Sequence, residues 1–320
     1  MASSGTDVQR NYSTLAPQRS SKDAASSDRT FCVRRANNLC KAYAIERAAS
    51  LAGMRCVNEW CMDLGCGRGG DLKKFEMAGM WQVMCVDVVD AQLGDMARRV
   101  REMRSSCSLS PQFRALPIVA DLSDWCGRLS LLHIVRVTKP TPVAVVTAHF
   151  SAHYFARTLG DLVHFMRVMQ STLRAGGVLS MILSSWEDVE VRGVEWTWSS
   201  SSATSGSDAP LPLARAHSSP AAEGGSGYSP VRFTLQGSVE GVEEQNIPLA
   251  DLCGAAAACG FSVRVCERLD QVWDREVKSW SGARRMNRTW SGEMAELSEE
   301  DLAVMGRYVW FVAVKDSNKG

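Results

Sequence analysis

From residue 37 onward the chain alternates between short apolar runs and longer stretches of helical spacing. "NNLCKAYAIERAASLA" (37–52) carries its apolar residues at helical intervals behind an Asn start, which predicts a helix. "EWCMDLG" (59–65) predicts a short buried strand. "DLKKFEMAG" (71–79) predicts a helix stopped at Gly79, "WQVMCVDVV" (81–89) a second strand and "AQLGDMARRVREMR" (91–104) a further helix. Strands are predicted at 116–122 and 143–150, a helix over 158–177 with a glycine stop, and a strand at 178–185. Beyond residue 240 the pattern predicts a helix in "IPLADLCGAAAACGF", a strand in "SVRVCERL" and a last strand at 308–315. Strand–helix alternation of this kind implies a mostly parallel sheet covered by helices on both faces.

Two segments break the pattern. Residues 1–30 are rich in Ser, Ala and Asp and almost devoid of large apolar residues, which predicts a disordered tail. The Ser-, Gly- and Pro-rich stretch 199–230 predicts a flexible surface insertion into one folded domain spanning 31–315, with 316–320 as a short tail. Lys and Arg total 36 against 35 Asp and Glu, a net charge of +1. That balance does not suit a protein that coats duplex nucleic acid, so a polyanion would have to meet a local basic patch. Eleven cysteines occur without a CxxC pair or His partners at metal-ligand spacing, which predicts reduced thiols of an intracellular protein and no metal site. No apolar run approaches a membrane span, and the N-terminus lacks the apolar core of a signal peptide.

The chemistry concentrates in "CMDLGCGRGGD" (61–71). Gly65, Gly67 and Gly70 stand at G-x-G-x-x-G spacing after the first strand, with Gly69 extra, and Asp87 closes the second strand 22 residues after Gly65. Such a turn lets a nucleotide approach the backbone, and such an acid takes ribose hydroxyls. A tight structural turn beside a solvated Asp is the alternative. Asp71 at the helix opening and Asp63 on the strand disfavour a pyrophosphate at the helix N-terminus. A cationic ligand with a ribose diol fits better: S-adenosylmethionine (SAM). D-x-G-x-G-x-G on a first strand is the usual pattern of SAM-dependent methyltransferases, which implies a Rossmann-like fold and draws Asp63, Gly65 and Gly67 to the cofactor. Asp121 suits either the adenine amino group or a helix N-cap.

Together, "NNLCK" (37–41), "MDLGCGRGGDLKKF" (62–75), "HFSAHY" (149–154), "EEQNIP" (243–248) and "RYVWFVAVK" (307–315) resemble, in this order, the mRNA cap guanine-N7 methyltransferase family. The resemblance implies SAM contacts from Lys41, Gly65, Asp87, Asp121, Tyr154 and His149, the last in place of the usual Gln. It implies cap contacts from Asn37, Asn38, Lys74, Arg99, His153, Glu244 and Tyr308, with Arg68 where the family often has Lys, and Leu39 replaces the usual Trp. No general base is expected, since N7 of guanine has a free lone pair; Glu244, His153 and Tyr308 would orient the base. From the residues alone, a solvated glutamate is the stronger reading of Glu244, a core tyrosine is an equal reading of Tyr308, and any one of Arg34, Arg35, Arg98 and Arg99 is open to being a solvated helix cation; the resemblance reverses the first. The implied substrate is the capped 5′ end of RNA (GpppN) and the implied location the nucleus, with a guanylyltransferase or the RNA polymerase machinery left open as a partner in trans. A SAM methyltransferase for a small substrate and a catalytically weak cap-binding protein are the competing readings.

Overall fold

The computed structural model describes residues 31–54, 58–138, 143–185, 196–197, 214–218, 230–235, 239–283 and 297–317. A long helix α1 (Phe31–Leu51) leads into strand β1 (Trp60–Leu64), helix α2 (Leu72–Met77), β2 (Gln82–Asp87), α3 (Asp90–Ser105), β3 (Arg114–Val119), α4 (Trp125–Thr138) and β4 (Val143–His149). A single 3₁₀ turn (Ala152–Tyr154), α5 (Leu159–Thr172) and β5 (Leu173–Ser184) follow. Four strands come next: β6 (Trp196–Thr197), β7 (Ala214–Ser218), β8 (Pro230–Leu235) and β9 (Val239–Gln245). The chain then adds α6 (Leu249–Ala258), β10 (Phe261–Arg268), α7 (Leu269–Val272) with a π turn behind it, α8 (Glu299–Met305) and β11 (Tyr308–Lys315).

The main sheet has seven strands in the order β10-β11-β5-β4-β1-β2-β3. The five strands from β5 to β3 run parallel, and β11 enters antiparallel between β5 and β10. Alternate residues feed two separate cores. Cys61, Val83 and Cys85 pack with α1, α2 and α3 on one face. Met62, Leu64, Met84 and Val86 pack with α4, α5 and α6 on the other. Burial on both faces is why the central strands read as continuous apolar runs rather than as alternating ones. The fold is Rossmann-like α/β, with the carboxyl ends of β1, β2 and β4 opening onto one edge of the sheet. A second, antiparallel sheet β6-β7-β8-β9 delivers Glu244 near its end.

Four expectations are corrected. First, α1 begins at Phe31, so Asn37 and Asn38 lie inside it rather than at its cap. Asn38 Nδ2 donates to the Arg34 carbonyl at 3.0 Å, which satisfies an otherwise helix-breaking side chain. Second, α5 ends at Thr172 rather than at the glycine pair. Leu173 is already extended, and Arg174 ties the start of β5 down through Glu59 (2.8 Å) and the Ala52 carbonyl (2.6 Å). Third, α4 was not anticipated, because its run of β-branched and leucine side chains gives no clear helical stripe. Asp124 Oδ2 accepts from the amides of Cys126 (3.1 Å) and Gly127 (3.3 Å) and starts that helix, so Asp124, not Asp121, does the capping. Fourth, β7 lies inside the stretch expected to be a flexible insertion, paired with β6 and β8. A composition reading weighs side chains, whereas a ladder is made by the backbone. The rest of that stretch and the tail 1–30 lie outside the described residues.

Gly127 marks how tightly α4 is set against the preceding loop: a Cβ there would overlap the carbonyl of Asp121. Gly254, inside α6, has open space around the same position. Gly127→Ala is therefore expected to lower the thermal midpoint, at a cost of about 1–3 kcal/mol for overpacking against backbone. Gly254→Ala is expected to hold or raise it, by up to about 1 kcal/mol. Calorimetric unfolding of the two variants checks the pair.

Candidate active site

The glycine turn is a strained cradle. Gly65, Gly67 and Gly69 have φ of +71°, +52° and +71°, a region that side chains disfavour. A Cβ at Gly65 would overlap Ser151, and one at Gly69 would run into Met96 and Leu72. Gly70 has neither a positive φ nor a close neighbour. Gly69, the glycine outside the recognised spacing, is thus the structurally demanding one. Asp87 fixes the turn from the next strand: its Oδ2 accepts from the Gly67 amide at 2.8 Å and its Oδ1 from Val89 at 2.9 Å. Burial raises its carboxyl above the ordinary range, and these amide bonds oppose the rise.

A cleft opens over this turn. Gly65, Gly67, Asp87, Asp121 and Tyr154 line it, five of the residues anticipated for a cofactor. Sequence reasoning missed other residues of its lining, among them Val89 and Gln92 after β2, Leu122 and Ser123 after β3, and Phe150 and Phe155 after β4. No motif spacing identifies these, because they follow from where the loops after β2, β3 and β4 converge. Asp121 Oδ1 accepts from the Ser123 amide (2.9 Å) and hydroxyl (2.6 Å).

Lys41, Asp63 and His149 do not line the cleft but sit in a buried polar cluster beside it. Lys41 Nζ lies 2.9 Å from Asp71 Oδ2 and 5.6 Å from the centre of the Phe150 ring. Lys74 holds the other oxygen of Asp71 and also donates to Asn38 Oδ1 at 3.1 Å. Burial opposes ionisation of Asp71, but the two lysines outweigh it and hold the carboxyl well below its usual range. Asp63 accepts from Thr147 Oγ1 at 2.9 Å. Its pKa is pushed up to about 7 by burial and by the charge of Asp71. His149 is held neutral by burial, its pKa lowered to about 3, with Nε2 at 3.1 Å from Ser180 Oγ. The repulsion expected from Asp71 at the helix opening does not arise, since its charge is spent on two lysines. By the same pairing, Lys74 is not a free surface cation.

Next to the segment Phe150–Phe155 stands a second group. Tyr308, at the start of β11, donates to Glu244 Oε1 at 3.4 Å, and His153 Nε2 lies 3.5 Å from the same oxygen. His153 Nδ1 accepts from the Ser184 amide at 3.4 Å, so a neutral ring carries its proton on Nε2, towards Glu244. Burial lowers the His153 pKa to about 3 and raises that of Glu244 to about 7, the hydrogen bonds from Ser184 and Tyr308 only partly offsetting the latter. Glu244 Oε2 is buried without a hydrogen-bond partner among the described residues, as are His153 Nε2, His149 Nδ1 and Asn37 Oδ1. All four belong to residues anticipated for ligands. The cleft and this group are joined by one segment: Phe150, Tyr154 and Phe155 face the cleft, while the Phe150 ring meets Tyr308 edge-on at 4.8 Å and His153 reaches Glu244. Arg68 is farther out, half-exposed and 3.4 Å from Asp95, and Arg99 is exposed on α3. Among the described residues no cluster of three or more His, Cys, Asp or Glu could hold a metal, and no helix is long and apolar enough to cross a membrane.

Residues 2–194, more than half of the chain, match the mRNA (guanine-N(7))-methyltransferase domain. The chain belongs to that family. An mRNA cap guanine-N(7) methyltransferase of Caenorhabditis elegans is 30% identical over 154 residues, which is 47% of this chain and 38% of that protein. The enzyme of the same name from Debaryomyces hansenii is 23% identical over 289 residues, 80% of this chain and 53% of that protein. The match thus spans about two-fifths to half of these curated relatives. The crystal structure of Streptomyces venezuelae DesVI, 14% identical, superposes with a TM-score of 0.51 over 93% of this chain and 100% of that one, which shows the shared fold.

Within this methyltransferase-family fold the two glycines are separable. Gly69→Ala is expected to lower the thermal midpoint and Gly70→Ala to leave it nearly unchanged, because only the first combines a left-handed backbone with an occupied Cβ position. Equal loss in both would show that the turn is set by flexibility rather than by close approach.

Proposed function

We propose that the chain transfers a methyl group from SAM to N7 of the guanosine cap on RNA. The observation that carries this reading is the buried Glu244 carboxylate, one oxygen of which has no hydrogen-bond partner among the described residues, linked through His153, Tyr308 and Phe150 to a cleft built from a glycine turn and two acids. The residues fit the cofactor: Gly67 leaves room that a Cβ would restrict, Asp87 suits a ribose diol, and Asp121 suits the adenine amino group. Tyr154 lines the same space, and Lys41 reaches it only through the Phe150 ring, 5.6 Å from its Nζ. The family match supports the choice of guanine, and a small-substrate methyltransferase would leave the unpartnered atoms of Glu244 and His153 unexplained.

When bound, SAM supplies a methyl on a sulfonium, which the N7 lone pair takes as the S–C bond breaks, leaving a neutral thioether and positive charge on the guanine ring. N7 has no proton to lose, so the chain's residues need only hold and orient. Glu244 accepts from guanine N1–H and N2–H₂, two adjacent donors that match its two oxygens. Its negative charge also favours the charge that develops on the ring. His153 and Tyr308 keep that carboxylate in place, and the Tyr308 and Phe150 rings offer faces for the base. The paired Lys41 and Lys74, the half-exposed Arg68 and the exposed Arg99 are the cations this reading assigns to a triphosphate bridge. A nuclear location and partnership with a guanylyltransferase or the polymerase machinery accompany this reading.

The direct test is incubation with labelled SAM and either GpppRNA or RNA whose cap is already N7-methylated. Label is expected on the first only. Glu244→Gln is expected to lower kcat/KM for the cap by roughly tenfold to several hundredfold, since an amide turns a donor toward a donor. SAM affinity should hardly change, and Glu243→Gln should be close to neutral. A second expectation concerns pH. Because burial raises the Glu244 pKa to about 7, the carboxyl is protonated below that value in the free protein and loses an acceptor. The kcat/KM for the cap should therefore fall as pH drops through about 7, and this limb should vanish in Glu244→Gln. A flat profile in the parent would remove Glu244 from guanine recognition. Asp87→Ala is expected to weaken SAM binding by about 1–3 kcal/mol and also to lower the thermal midpoint, because the same carboxylate fastens the glycine turn.

A further inference from the structure

Arg128, in the first turn of α4, is completely buried, the largest side chain among the described residues to be so. A buried guanidinium is costly unless its donors are all matched. The nearest carboxylate oxygen, Asp161 Oδ1, lies 3.5 Å away. The fork is instead spread over main-chain oxygens. Nε donates to the Leu122 carbonyl at 2.6 Å, one terminal nitrogen to Ser123 (3.4 Å) and Phe155, and the other to Asp161 (3.2 Å), with His164 Nδ1 at 3.2 Å. Leu122 and Ser123, after β3, and Phe155, after β4, line the cleft from two separate segments, its two walls. Asp161 and His164 belong to α5 and anchor the fork to the body of the fold.

We propose that Arg128 is a positioning residue that sets the two walls of the cleft at a fixed separation, and so governs fit at the adenosine end of the cofactor. The identity of the ligand rests on the SAM reading above; the coupling of the walls does not. Three features support it. The contacts come from three separate segments, so no local turn needs the side chain for its own closure. The planar five-donor fork is the one side chain that reaches carbonyls in divergent directions at once, and the ammonium of lysine is a single point. Gly127 lacks the Cβ that would hold α4 away from Asp121, which lets Arg128 slide under the loop.

The test compares the full chain with Arg128→Lys and Arg128→Gln by amide hydrogen exchange and by calorimetric titration with SAM and with the cap dinucleotide GpppG. Exchange is expected to accelerate together in 120–124 and 155–157, by roughly tenfold or more, with smaller changes in the main sheet. The Kd for SAM should rise roughly tenfold in both variants, lysine giving no rescue, while that for GpppG moves less than about threefold. Acceleration in one wall only, acceleration spread evenly over the chain, or equal losses for SAM and GpppG would reduce Arg128 to an ordinary core residue and overturn the proposal. If neither variant folds, His164→Gln, which disturbs one arm of the fork, should give the same pattern at smaller amplitude; an unchanged pattern overturns it. If the parent chain itself binds no SAM, the cofactor reading fails, and the exchange data alone decide whether the walls are coupled.

Discussion

The site depends on one buried arrangement, the Asp71 carboxylate held between Lys41 and Lys74. Lys41 comes from α1, Lys74 from α2, and Asp71 from the end of the glycine turn. The pairing therefore fastens the leading helix to the turn from which the cleft is built. Two lysines against Asp71 and the neighbouring Asp63 bring charges of both signs together, which is how Asp63, Asp71 and Lys74 can be buried side by side with Lys41 at their partly exposed edge. Breaking one partner would leave an uncompensated charge, a far larger penalty than the pair's own net worth. The cluster also places a cation over the Phe150 ring, at the point where the cleft meets the second group.

Phe150 is the second constraint. Its φ of +59° is a left-handed conformation for a bulky aromatic, held by the hydrogen bond from its amide to the Ile182 carbonyl at 2.7 Å. Ser151 next to it donates to the Leu64 carbonyl at 2.7 Å and fills the space that a side chain at Gly65 would need. The strained segment and the glycine turn thus interlock: each has the shape that the other permits. Strain of this kind persists where the surroundings over-determine it, and here it turns Phe150 and Tyr154 to the cleft and His153 to Glu244.

The parts of this site that were legible in sequence are those fixed by local chemistry. A glycine turn between a buried strand and a helix, with an acid at the end of the next strand, is dictated by backbone geometry over about two dozen residues. The parts that were not legible depend on distance in the chain. Nothing in "GGDLKK" says that Asp71 meets Lys41 from α1, 30 residues earlier, and the apparent repulsion of phosphate at that helix opening was a misreading for this reason. Gly69 looked superfluous because the recognised spacing counts positions, whereas φ and the neighbours Met96 and Leu72 decide which glycine matters. Helix α4 was missed because β-branched residues weaken the helical signal, although Arg128 within it touches both walls of the cleft. His149, expected from its motif to contact the cofactor, sets its Nε2 at 3.1 Å from Ser180 Oγ, a contact that no local pattern announces.

The two carboxylates that matter most differ in how they are held, and that difference separates their work. Asp87 has both oxygens engaged by backbone amides, so it is a rigid acceptor that shapes the glycine turn before any ligand arrives. Glu244 has one oxygen hydrogen-bonded by a tyrosine, with a neutral histidine 3.5 Å from it, and the other without a partner among the described residues, and burial raises its pKa to about 7. A group in that condition gains most from a ligand that brings donors, because the cost of its burial is already met by the fold around it. A reaction that needs no proton removed but needs a base held in one orientation, with positive charge growing on it, suits that second carboxylate. The structure keeps the pre-formed acceptor in the glycine cradle and, beyond the strained segment that holds Phe150 and His153, an acceptor with no partner for its second oxygen among the described residues.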